Sequence, residues 1–91
     1  MAINTAIRHL QRGDWQKAHA IVQNDTTEAG YWAHGIVHML EGDFGNARYW
    51  YRRAGRAFPR EKDAGAEIEA LVTFVKADPA VPAAPTRQRA G

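Results

Sequence analysis

Cysteine is absent from this 91-residue chain, so neither disulfides nor thiolate metal centres hold it together and stability has to come from packing. No apolar run approaches the roughly 20 residues that cross a bilayer. The opening stretch, MAINTAIRHLQRGD, lacks the basic head, long apolar middle and small-residue cleavage site of a secretory signal. Together these point to a cytoplasmic protein with no membrane association. Charge of one sign is scarce as well. Twelve Lys and Arg against ten Asp and Glu leave a net +2, short of the broad basic footprint of a nucleic-acid binder. There is no HExxH pair, no nucleophile set beside a base and no paired-acid spacing. Gly13, Gly42 and Gly45 sit at turn and packing positions and do not form a phosphate cradle. The expectation is a protein that is not an enzyme and carries no cofactor.

Apolar residues at 45% and charged residues at 24% are ordinary globular values, and the length allows one small domain. Proline is concentrated at the end. Residues 78–91, DPAVPAAPTRQRAG, have no hydrophobic periodicity and read as a Pro/Ala-rich disordered tail behind a helical domain over 1–77. Within that domain the apolar spacing predicts five helices, at about 2–12, 15–23, 28–41, 44–57 and 61–76. Gly13 and Gly42 stand where helices end, and Asp14, Thr27 and Asp43 where the next ones are capped. Phe58-Pro59 closes the fourth helix, because the residue before proline is pushed out of helical conformation. Ile68, Leu71, Val72 and Val75 give the fifth helix its apolar stripe.

An internal repeat underlies this pattern. Gly13-Asp14-Trp15 and Gly42-Asp43-Phe44 stand 29 positions apart, each followed three residues later by alanine, Ala18 and Ala47. Repeats of that length signal stacked helical hairpins, since one hairpin cannot cover both of its apolar faces. The segment over 28–59 resembles a tetratricopeptide repeat through Tyr31, Gly35, Gly42-Asp43-Phe44, Ala47, Tyr51, Ala54 and Pro59. The first hairpin matches in Ala6, Gly13-Asp14-Trp15, Ala18 and Val22. His34 and His38 depart from the pattern, standing where the family usually has leucine and tyrosine. The segment HGIVHMLEGDFGNARYWYRRAG also resembles an uncharacterised bacterial and fungal group with a His…His…Glu-Gly-Asp…Asn-Ala…Tyr-Trp…Arg pattern. The resemblance implies an all-α protein: two stacked hairpins in a right-handed array, with the fifth helix as a cap.

Three sets of residues are candidates for function. The resemblance implies a concave inner face, lined here by Ile3, Ile7, Leu10, Trp32, Ile36, Met39 and Leu40. An apolar surface of that extent marks a groove for a protein or peptide partner, a homodimer face, or a layer covered by the fifth helix. The expected function is a small non-catalytic protein–protein interaction module. The second set is His34 and His38, i and i+4 on one helix, with Glu41 three residues on and His9 at the equivalent repeat position. Neutral imidazoles so spaced can hold a divalent metal; the ordinary role is that of part-buried histidines hydrogen-bonded between helices, to Asp14, Asp43 or Asn46. The third is the arginine stripe Arg48, Arg52 and Arg56, with Arg53 beside it and Tyr49, Trp50 and Tyr51 interleaved. Such a stripe can grip phosphates and stack bases, or form a solvated outer face balanced by Glu67 and Glu69. Deleting residues 79–91 should leave the unfolding free energy within about 0.5 kcal/mol. A larger loss in denaturant titration would mean that this stretch docks on the domain.

Overall fold

A computed structural model describes residues 2–77; the expected tail over 78–91 lies outside the described residues. Five helices follow in order: α1 Ala2–Gln11, α2 Trp15–Val22, α3 Glu28–Glu41, α4 Phe44–Arg53 and α5 Ala64–Lys76. The described part is all-α, and none of its helices is long and apolar enough to cross a membrane.

Local chemistry sets the helix ends. Asp14, Thr27, Asp43 and Asp63 each accept a hydrogen bond from the backbone N–H three residues on, satisfying donors that the first helical turn leaves open. Three helices stop at glycines in the left-handed region, Gly13, Gly42 and Gly55. At each, the glycine N–H bonds the carbonyl three residues back and the next N–H reaches five back, as in Arg56 N–H to Tyr51 O at 2.9 Å. That pairing is the Schellman motif. Two boundaries therefore differ from expectation. Helix α4 ends at Arg53, not near residue 57, because Gly55 closes it before Pro59 can. Helix α5 starts at Ala64, not near residue 61, because Asp63 is its cap and Lys62 has left the helical region at φ 52°.

Helix α3 is the hub. It packs against α2, α4, α5 and α1, and every residue from Trp32 to Met39 is buried. On the α4 side small residues bring the axes together: a Cβ at Gly35 would meet the Tyr51 ring at 2.5 and 2.7 Å, and Ala47 is fully buried. On the other side α5 lies over α3 and α1, with Leu71 and Ile68 buried and the Phe74 ring edge-on to Trp32 at 5.6 Å. Each such aliphatic side chain contributes about 1.5–3 kcal/mol.

The apolar inner face is accordingly inside the molecule. Ile3, Ile7, Leu10, Trp32, Ile36 and Met39 are buried and Leu40 is half-buried. A polar clasp secures this layer. The Glu67 carboxylate of α5 accepts from the Trp32 indole at 3.1 Å and from the Tyr51 hydroxyl at 2.6 Å. Burial and the neighbouring carboxylate raise the Tyr51 phenol well above its ordinary range. Glu67 thus serves the core and is not the expected counter-charge of the arginine stripe. Arg56, expected in the α4 stripe, lies past the helix end. Its guanidinium sits 3.5 Å over the Trp32 ring and pairs with Glu28 at 3.3 Å.

Two substitutions test this packing by chemical denaturation. Ala47→Leu should force α3 and α4 apart and cost about 1–3 kcal/mol. Glu67→Ala should cost about 1–3 kcal/mol by leaving the Tyr51 hydroxyl without its acceptor and the Trp32 indole with only its bond to that hydroxyl at 3.2 Å. An unchanged unfolding midpoint in either variant would contradict the corresponding contact.

Candidate functional site

Because α3 is enclosed, its two histidines cannot reach solvent in the ordinary way. His34 and His38 are 4% and 8% exposed. They project one turn apart toward α2, where His19 meets them. The His34 and His38 rings stack at 5.0 Å between centroids, and the His19 ring stands edge-on to both, at 4.9 and 5.5 Å. One ring nitrogen from each of the three lies within 4.8 Å of the others.

The third imidazole comes from α2, not from His9. His9 is half-buried on α1, its Nδ1 also without a hydrogen-bond partner, and it does not join the cluster. His19 was legible in principle. Trp15, Ala18, His19 and Val22 stand at i, i+3, i+4 and i+7, the spacing of one helix face, and the buried Ala18 and Val22 fix that face inward.

Each ring has a different setting. His38 Nδ1 lies 2.7 Å from Glu41 Oε1; a carboxylate only accepts, so Nδ1 carries the proton and, in the neutral ring, Nε2 carries the lone pair. His34 is sandwiched between His38 and Trp50, whose ring stacks on it at 3.8 Å and 11°. Its Nδ1 is buried with no partner. The expected hydrogen bonds from these rings to Asp14, Asp43 or Asn46 do not occur: Asp14 and Asp43 cap helices instead. Burial, reinforced by the neighbouring His38 and His19 rings, pulls His34 down to about 4.

Beyond Trp50 the stack continues to the surface. Tyr31 lies on Trp50 at 5.8 Å, and Arg53 forks between the hydroxyls of Tyr49 and Tyr31, both at 3.0 Å. Arg48 rests over the Phe58 ring at 5.2 Å. Among the described residues no carboxylate pairs with Arg48, Arg52 or Arg53. Phe44 and Tyr49, both on α4, are the exposed large hydrophobic residues of the described part, at 38% and 42%. A groove of about 280 Å³ also lies between α1 and α5, lined by Ile7, Val72 and Val75 among others.

The depressed His34 has a consequence for stability. Folding holds neutral a ring that the unfolded chain protonates below about 6.5. Its stabilising share is complete above that pH, declines as the pH falls from about 6.5 to 4, and is flat below. The unfolding free energy should drop by roughly 1–3 kcal/mol over that interval, and the His34 ring protons should titrate near pH 4 by NMR. Titration of His34 near 6.5 would contradict its placement. Comparison with known proteins gives no family model, no curated protein and no solved structure that matches this chain.

Proposed function

We infer that the protein is a small non-catalytic interaction module and that the face it offers is the outer side of α4. The observation that carries this reading is that Phe44 and Tyr49 are both on α4, beside Arg48 and Arg52. Helix α4 packs mainly on α3 and reaches α5 through the buried Tyr51 hydroxyl on Glu67, which leaves the side carrying Phe44, Tyr49 and Arg52 exposed. Aromatic residues and arginine are the types enriched where proteins bind one another, because they combine large contact area with hydrogen bonding. The likeness to tetratricopeptide repeats supports a role in displaying a helical surface. The groove that such arrays use corresponds here to the layer occupied by α5, which moves the expected contact to the opposite side of α3.

Unpaired arginines favour a partner protein with carboxylates beside an apolar patch. A two-fold homodimer built on α4 would set arginine against arginine and is disfavoured on the same ground. Nucleic acid is a weaker fit, since Trp50 and Tyr31 stack within the protein and leave few free ring faces. Affinity capture with wild-type protein and with Tyr49→Ala/Arg52→Ala as baits tests the reading. Partners held by the wild type and lost by the double variant support it. Identical sets on both baits would overturn it, and binding of nucleic acid with a steep salt dependence would replace it.

A further inference from the structure

We propose that His19, His34 and His38 form a binding site for a divalent transition-metal ion of the zinc, nickel and copper class, with Glu41 as a positioning residue. This goes beyond the α4 surface and does not depend on it.

The first ground is geometry. Two of the ligands stand at i and i+4 on α3, which puts their rings on one helix face, and α2 brings the third across. Their donor atoms lie within 4.8 Å of one another. A tetrahedral ion with bonds of about 2.0–2.1 Å holds its donors about 3.4 Å apart. Small rotations of the rings suffice to close the difference.

The second ground is hydrogen bonding. A buried imidazole is ordinarily satisfied at its polar atoms. His34 is almost wholly buried with Nδ1 unpartnered, and no carboxylate or carbonyl among the described residues hydrogen-bonds a ring nitrogen of His19 or His34. Three imidazoles facing one another, with a carboxylate partner at His38 alone, repel when protonated and gain little when neutral. A shared cation turns their converging lone pairs into an attraction.

The third ground is Glu41. A carboxylate bonded to the far nitrogen of a metal-bound histidine fixes its tautomer, aims its lone pair and increases its basicity. Glu41 is placed to do this for His38, leaving Nε2 as donor. It is 35% exposed at its side chain, so it does not need this contact to escape desolvation.

The donor set gives the class of ion. Three neutral nitrogens suit borderline divalent ions, whereas calcium and magnesium require oxygen ligands. Three protein ligands leave a coordination position for water or for an exchanging ligand, since His19 is only half-buried. The arrangement fits an ion that is loaded and released more than one locked in as a structural staple.

Isothermal titration calorimetry of the full untagged chain with zinc chloride tests the proposal at pH 7.5. The expected result is one zinc per chain with a Kd at or below the micromolar range. His19→Ala, at a half-buried position whose change leaves the core intact, should weaken binding at least tenfold. Glu41→Gln keeps an oxygen acceptor for His38 but removes its charge, and should weaken zinc by roughly 10–100-fold with the metal-free melting curve unchanged. His9→Ala should bind as the wild type does. Circular dichroism of each variant confirms that helix content is retained before its affinity is compared. Absence of binding tighter than about 100 micromolar would overturn the proposal. So would wild-type affinity in His19→Ala, or a loss caused by His9→Ala.

Discussion

The enclosure of α3 is the constraint on which the rest depends. From Trp32 to Met39 the helix has no solvent face, because α2, α4, α5 and α1 take up its whole circumference. A helix so placed has to be apolar or small at nearly every position, and α3 is, with Trp32, Ala33, Gly35, Ile36, Val37 and Met39 buried. His34 and His38 are the exceptions, and their burial is what gives the molecule a chemical centre. Gly35 opposite Tyr51 lets α4 approach closely; Trp32 supplies the donor that Glu67 receives from α5. Each neighbour is held by a different face of the same helix.

That enclosure also explains why the polar groups inside are few and specialised. The Trp32–Tyr51–Glu67 clasp satisfies one indole, one phenol and one carboxylate together, which ties α5 to the α3–α4 pair by more than apolar contact. Arg56 closes over the clasp by lying on the Trp32 ring while it reaches Glu28. On the opposite side of α3 the three imidazoles have no comparable set of partners. One side of the hub is electrostatically complete and the other is complete only at His38.

Much of this was readable from residues alone, where local chemistry decides the outcome. Gly13 and Gly42 end helices because they tolerate the left-handed conformation, and Asp14, Thr27 and Asp43 start helices because their oxygens satisfy open backbone donors. The bounds of α3 and the inward stripe of α5 follow from such signals. Gly55 was overshadowed by Pro59, and Asp63 by the neighbouring charged run, so α4 and α5 came out shorter than the pattern suggested. The placement of His19 was harder. It depends on which way α2 rolls against α3, which a helix of eight residues specifies weakly. Arg56 was misplaced for a related reason: a regular four-residue spacing says nothing about a helix that stops before the last member.

The account therefore rests on α2 turning His19 toward His34 and His38 across an enclosed α3. The most direct test is a crystal grown with zinc, with diffraction recorded on both sides of the zinc absorption edge. An anomalous peak bonded to ring nitrogens of His19, His34 and His38, with Glu41 against His38, is the result this arrangement predicts. A peak elsewhere on the chain, or a histidine trio separated by a differently rolled α2, would contradict it.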